Sequence, residues 1–246
     1  MKTNTTFKRE ALDALRGNWG KAVLITLLYI VIAGALVGPT TYTSLQMQRY
    51  MTENAGNGIQ SLSKMTAMVS DPDFVSLQKT ANGVSGGSTL IQVFVLFPLM
   101  LGVANAFRKL LVDRDNNLVR NAFHEGFSNY FHKVWGMLLM TILLALWTLL
   151  LFIPGIIKAY SYSMTPYILA ENPELSASEA IHRSRMMMRG HKFDLFWLQL
   201  SFIGWVFLSL LTAGIGFLWM DPYYRTAQAA FYEEVKADYA LNGGLA

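Results

Sequence analysis

The chain has 246 residues, 53% hydrophobic and only 15% charged, with a net charge of +4 and no cysteine. Its mean hydropathy is +0.31. A soluble domain carries roughly 25% charged residues, and several uncharged runs here are long enough to cross a bilayer. This composition excludes a cytosolic enzyme, a secreted disulfide scaffold and a disordered chain, and leaves a polytopic membrane protein.

Met1 to Leu15 is no signal peptide, because Lys8, Arg9, Glu10 and Asp13 precede any apolar run. A hydrocarbon core of about 30 Å takes about 20 helical residues. Ala22 to Gly38 is the first apolar run, with Trp19 and Lys21 as interface anchors. Thr89 to Phe107 is the second, closed by Arg108 and Lys109. Val134 to Ile153 is the third, and Pro154-Gly155 ends it. Gly155 to Ala170 is a short fourth candidate. The uncharged run Leu195 to Met220 is too long for one helix, and Ala213-Gly214-Ile215-Gly216 offers a break. It divides into a fifth span near Phe193 to Leu211 and a sixth near Gly214 to Val235.

Basic and non-basic connections alternate. The N-terminus, the 108–133 connection and the 171–192 connection are rich in Lys and Arg, whereas 39–88 has only Arg49, Lys64 and Lys79. The positive-inside rule then places both termini in the cytoplasm. The expected fold is all-α: a polytopic transmembrane bundle, one membrane domain over 1–246, with about six spans in three helical hairpins. Each hairpin is preceded by an amphipathic stretch, a small or polar break, and an aromatic residue at the membrane: Gly17 before Trp19, Asn129 before Tyr130 and Trp135, Gly190 before Phe193. Each carries a proline in its second helix, Pro98, Pro166 or Pro222. Such recurrence reads as three copies of one unit.

The amphipathic stretch over 174–190 has the clearest signature. Ser176 and Glu179 form a capping box. Ala177, Ala180, Ile181, Ser184, Met187 and Met188 share one face, while Arg185 and Arg189 lie opposite with Arg183 at the edge. Phe7, Ala11, Ala14 and Leu15 make a similar stripe. This predicts cytoplasmic helices lying in the headgroup plane, with Arg183, Arg185, Arg189 and Lys192 at lipid headgroups. A connector obeying the positive-inside rule has the same composition.

The series Ile153-Pro-Gly-Ile156, Tyr160, Pro166-Tyr167-Ile-Leu-Ala-Glu171-Asn-Pro173, Ser178-Glu-Ala-Ile181, Gly190-His-Lys192, Leu200-Ser-Phe-Ile-Gly-Trp205, Gly214-Ile-Gly216, Pro222-Tyr223 and Ala229-Ala-Phe-Tyr232 resembles the bacterial integral membrane family called domain of unknown function 975. The resemblance covers roughly residues 1–240. It implies this architecture, a bacterial plasma membrane and no particular activity. More distantly the chain is similar to the membrane domain attached to some glycerophosphodiester phosphodiesterases. Their soluble catalytic domain has no counterpart here, so that activity does not carry over.

Chemistry-bearing residues are sparse. Gly83-Val-Ser-Gly86 resembles the Gly-x-Ser-Gly of rhomboid proteases, but Ser85 falls on the opposite side from His124, His132, His182 and His191, and such a serine needs a nearby base. The histidines lack metal-binding spacing. Gly83 to Ser88 reads as a flexible approach to the second span. Asp221 and Arg225 are four apart and can pair on one helix. A charge at membrane depth is a functional candidate, although Asp221-Pro222 also reads as N-cap and N1. With Tyr160, Tyr162 and Tyr167 on the polar fourth span they would form a ligand or ion pathway. Gln92, Asn105 and Gln199 read as interhelical glue. The 39–88 insertion has near-helical apolar spacing at Ile59, Leu62, Met65, Met68 and Val69, and Asp71-Pro72 reads as a helix start. It is expected outside the cytoplasm, as a small cap or as a disordered loop.

The functional expectation is a non-catalytic membrane protein, not an enzyme, that binds a membrane partner or lipid in an accessory or envelope role. The alternative is a small-solute transporter using 155–170 and Asp221/Arg225. Expected partners are membrane lipids, a membrane protein or a second copy of the chain, with no nucleic acid, metal or cofactor.

Overall fold

A computed structural model describes residues 2–55 and 69–241, apart from a few side chains within those ranges. All regular structure among these residues is helical. Four helical stretches are long and apolar enough to cross a membrane, Trp19–Leu36, Val93–Val112, Tyr130–Leu150 and Lys192–Leu211. They correspond to the first, second, third and fifth expected spans. The chain divides into two compact units, one from Met1–Tyr29 and Phe97–Ala246, the other from Ile30–Leu96.

The second unit holds parts of two long helices, α2 (Trp19–Ala55) and α3 (Pro72–Val112). Helix α2 does not stop at Gly38. It runs through Pro39, and the hydroxyls of Thr43 and Ser44 donate to the carbonyls of Pro39 and Thr40. The polar residues that read as loop thus bond back onto the helix they extend. Asp71 starts α3 as expected: its carboxylate accepts from the N–H of Asp73 at 2.8 Å. Tyr50 and Phe74 then pair with ring centres 5.7 Å apart. Gly83 to Ser88 lies inside α3 and is not a flexible approach. Ile59, Leu62, Met65 and Met68 lie outside the described residues.

The first unit contains α1 (Asn4–Leu15), α4 (Leu118–Phe127), α5 (Tyr130–Leu150), α6 (Phe152–Tyr162), α7 (Thr165–Glu171), α8 (Ala177–Met187), α9 (Lys192–Leu200), α10 (Ile203–Leu211) and α11 (Phe217–Leu241), with the proximal parts of α2 and α3. The short helices α1, α4 and α8 each end just before a left-handed residue, and a membrane helix starts one or two residues later. These residues are Gly17 (φ +77°), Asn129 (φ +46°) and Gly190 (φ +83°). The three breaks singled out in the sequence therefore share one backbone solution, a left-handed residue that turns the chain sharply between two helices.

The three short helices are not laid on lipid by their apolar faces. Phe7, Ala11, Ala14 and Leu15 of α1, Leu118 and Ala122 of α4, and Ala177, Ala180, Ile181 and Met187 of α8 are all buried within the protein. The stripe that fits the acyl region is thus covered by other helices. Helix α8 lies on α5, α6 and α7. Helix α4 lies on α3, where Gly102 and Gly126 bring the two backbones together. Helix α1 lies on α11, with Phe7 edge-on to Phe231 at 5.6 Å. The capping box of α8 forms, Ser176 Oγ accepting from the Glu179 N–H and Glu179 accepting from the Ser176 N–H.

The fourth expected span is broken. α6 stops at Tyr162, α7 begins at Thr165, and Ser184 of α8 fills the gap. Its hydroxyl donates to the Ser161 carbonyl at 2.9 Å and accepts from the Met164 N–H at 3.2 Å. Pro166 supplies no N–H at this break, and Ser184 bonds the Ser161 carbonyl and the Met164 N–H from a neighbouring helix, while the buried Thr165 hydroxyl has no partner among the described residues. α5 and α6–α7 run back along each other: Gly155 meets Thr148, Leu169 meets Gly136, and the Lys158 ammonium lies 4.4 Å from the Trp147 ring. α10 ends at a left-handed Ala213-Gly214 pair, the break anticipated there. α11 then begins at Phe217, so Pro222 is interior and Asp221 is not an N-cap.

Candidate functional site

The ends of α3, α7 and α11 meet in a cluster of charges. Arg108 forms an ion pair through Nη1 with Glu171 (2.9 Å), and donates from Nη1 to Glu233 (2.8 Å) and from Nε to Asn105 Oδ1 (2.9 Å). Lys236 donates to both oxygens of Glu171, at 2.7 and 2.9 Å. The Tyr232 hydroxyl donates to Glu171 as well. Glu171 and Arg108 are each only 12% exposed. Burial alone would raise the Glu171 carboxyl, but the hydrogen bonds from Lys236 and Tyr232 and the charges of Arg108 and Lys236 outweigh it and hold it below the ordinary value. Tyr167 stacks on Tyr232 with ring centres 4.8 Å apart.

A second polar group lies on α11, α2 and α9. Arg225 Nε donates to Asp221 at 2.7 Å, Thr26 donates to the same oxygen at 3.4 Å, and the guanidinium stands 5.3 Å from the Tyr29 ring. Next along α11, Tyr224 accepts from Gln199 (3.0 Å), and Gln199 accepts from the Tyr160 hydroxyl (2.8 Å). The pairing of Asp221 with Arg225 is the one their spacing allows. Gln199, read as glue, links Tyr160 to the neighbour of Arg225. Tyr167 lies within electrostatic reach of both Arg225 and Arg108, so the two groups adjoin. Tyr162 is buried and bonds to none of them among the described residues.

Arg108 was visible as a span-closing charge and Glu171 as part of the family series, but Glu233 and Lys236 were not singled out, and the cluster was not foreseen. The available signal was the i,i+4 pair Tyr232/Lys236 and the lone acid Glu171 directly after an apolar run. A third junction joins α3 to α4 and α5. Glu125 pairs with Lys109 at 2.6 Å. Lys133, fully buried, donates to the Glu125 carbonyl and to Ser128 Oγ. Burial opposes ionisation of Glu125, and Lys109 chiefly overcomes it, so this carboxyl too is held below its ordinary value.

Of the other cations, Lys2 pairs with Glu10 and Glu234, and Lys8 donates to the Ser201 carbonyl. Among the described residues Arg183, Arg185, Arg189 and Lys192 make no ion pair, nor do Arg9, Arg16 and Lys21 beside α1 or Arg114 and Arg120 beside α4. His191 bridges the start of α9 to the end of α11, with Nδ1 3.3 Å from Asp194 and Nε2 3.0 Å from Asp238.

The chain matches, over residues 1–239, the family described as protein of unknown function (DUF975). It belongs to that family. No curated protein and no solved structure matches it.

Proposed function

We propose that this member of the family is a non-catalytic protein of a bacterial plasma membrane that binds an anionic membrane component through its cytoplasmic rim. The observation that carries this is the division of labour among its cations. Arg108, Arg225, Lys109 and Lys236 pair with carboxylates of the helices packed around them, whereas Arg9, Arg16 and Lys21 near α1, Arg114 and Arg120 near α4, and Arg183, Arg185 and Arg189 of the α8 region make no ion pair among the described residues. Six crossings with both termini cytoplasmic accommodate this. Arg108, Glu171 and Glu233 meet although α5 and α9–α10 intervene in sequence, which supports α6–α7 and α11 as return crossings.

Each basic residue near an anionic surface contributes about 1 kcal/mol. Replacing Arg183, Arg185 and Arg189 together with glutamine is expected to reduce co-purified anionic phospholipid, or an acidic membrane partner, by roughly two orders of magnitude in affinity at low salt. Mild-detergent extraction followed by mass spectrometry of lipid and protein checks this. Equal retention by wild type and variant would sink the proposal.

A second reading, small-solute transport, is favoured by one observation: the Asp221–Arg225 pair within a bundle of membrane helices. It expects Asp221→Asn to abolish any uptake or efflux phenotype while the protein still reaches the membrane. Unchanged flux in that variant removes this reading.

A further inference from the structure

A cleft of about 540 Å³ opens between α6 and α9, with Ile156, Ile157 and Tyr160 on one side, Phe193 and Phe196 on the other, and Lys192 at one end. Its volume is that of a small-ligand site, roughly 300–1,000 Å³. Ile157 and Phe193 are open to whatever surrounds the protein, Phe193 to the extent of 76%. Lys192 is the first residue of the candidate span Lys192–Leu211, and Phe196 follows one turn later, about 6 Å further along the axis. The charge therefore stands where headgroups lie and the apolar wall where acyl chains begin.

That end of the cleft is built for an anion. Lys192 has no ion pair among the described residues, and Arg189 on the preceding turn is exposed. His191, the N-cap of α9, makes no side-chain cap bond, and the N-terminus of this helix, favourable to an anion, opens at Lys192. Asp194 on the same turn is directed to His191. Gly190, left-handed, also lines this end, and no atom stands within 4 Å of where its side chain would begin.

We propose that this cleft seats one acyl chain of an anionic phospholipid, with its phosphate against Lys192 and the start of α9. The proposal rests on the membrane-binding reading above and gives it a single ligand in a single place. Apolar walls with a cation at the headgroup end complement an anionic amphiphile and leave a zwitterionic one with no charge advantage. Tyr160 gives occupancy a route inward. Its ring stands edge-on to Phe196 at 6.3 Å, and its hydroxyl begins the chain through Gln199 to Tyr224, beside Arg225.

The test uses the full-length protein, delipidated in mild detergent and titrated with phosphatidylglycerol or phosphatidylcholine, with bound lipid counted by native mass spectrometry. Wild type is expected to hold one phosphatidylglycerol per chain in preference to phosphatidylcholine. Ile157→Trp fills the cleft at an exposed position and is expected to remove that lipid. Lys192→Gln is expected to weaken it about fivefold and erase the preference. Circular dichroism and melting confirm that both variants are folded; if Ile157→Trp is not, Ile156→Trp replaces it. Wild-type binding by a folded tryptophan variant overturns the cleft, as does equal affinity for the two lipids. If phosphatidylglycerol binding survives Ile157→Trp but is lost on replacing Arg183, Arg185 and Arg189, the cleft is wrong and the rim reading stands. If none of the variants changes anionic lipid binding, both are wrong.

Discussion

Gly102→Ala is expected to undo the docking of α4 on α3. A Cβ at this position would lie 1.9 Å from the Ala122 carbonyl oxygen and 2.7 Å from the Gly126 nitrogen. Both are backbone atoms, so no rotamer change relieves the clash and the helices must separate. Gly126 faces the same constraint from Pro98, whose carbonyl oxygen would stand 2.6 Å away. Overpacking costs about 1–3 kcal/mol in ordinary cores, and a clash between two backbones belongs at the upper end, about 3 kcal/mol. Separation also loosens the Lys109–Glu125 pair that spans the junction. Thermal unfolding in detergent reads the effect. Gly204→Ala is the control, because nothing stands within 4 Å there. Equal melting of the two variants would mean that the crossing is looser than described.

Removing the carboxylate at the centre of the charge cluster is the other large effect. Glu171→Ala leaves Arg108 with Glu233 as its one carboxylate among the described residues, Lys236 without its carboxylate partner and the Tyr232 hydroxyl without its acceptor. Deleting one member of a buried ion pair costs about 3–5 kcal/mol, because the remaining charge stays buried. Glu233 compensates in part, which places the expectation near 3 kcal/mol. Acid should do the same reversibly. A carboxyl whose folded value is depressed stabilises the fold above its unfolded value, about 4.3, and that stability is lost as pH falls through the folded value. Glu171 and Glu125 are both depressed. Melting temperature should therefore fall below about pH 4 in wild type, and fall less in Glu171→Ala, which has already lost one contribution. A variant as acid-sensitive as wild type would count against Glu171 as the group responsible.

What could be read from sequence follows from how local each cause is. The capping box of Ser176 and Glu179, the Asp71 start and the break at Ala213-Gly214 are set by residues within four positions of one another, and each forms where expected. The buried stripes of α1 and α8 were legible as periodicity. What covers them was not, because a stripe that fits lipid fits a neighbouring helix equally well. The same limit hid the charge cluster: Arg108, Glu171 and Lys236 are 63 and 65 residues apart along the chain and meet only through tertiary packing. The extended helices α2 and α3 were missed for a different reason. Their Thr, Ser and Gly residues have weak helical propensity, and membrane helices supply the continuity that propensity does not. Asp221-Pro222 was ambiguous because one dipeptide can start a helix or sit within one, and packing against Thr26 selects the second.

The packing of α1 on α11 sets an order on biogenesis. A ribosome emits α1 well before α11, at about 5–20 residues per second, so α1 must wait some tens of seconds for the surface that covers Phe7 and Leu15. α4 and α8 have no such delay, since each lies on a helix already made. Until α11 arrives, Phe7 lacks the Phe231 ring on which it packs in the finished chain. Completion of α11 thus closes an apolar face that α1 has held open since its own synthesis.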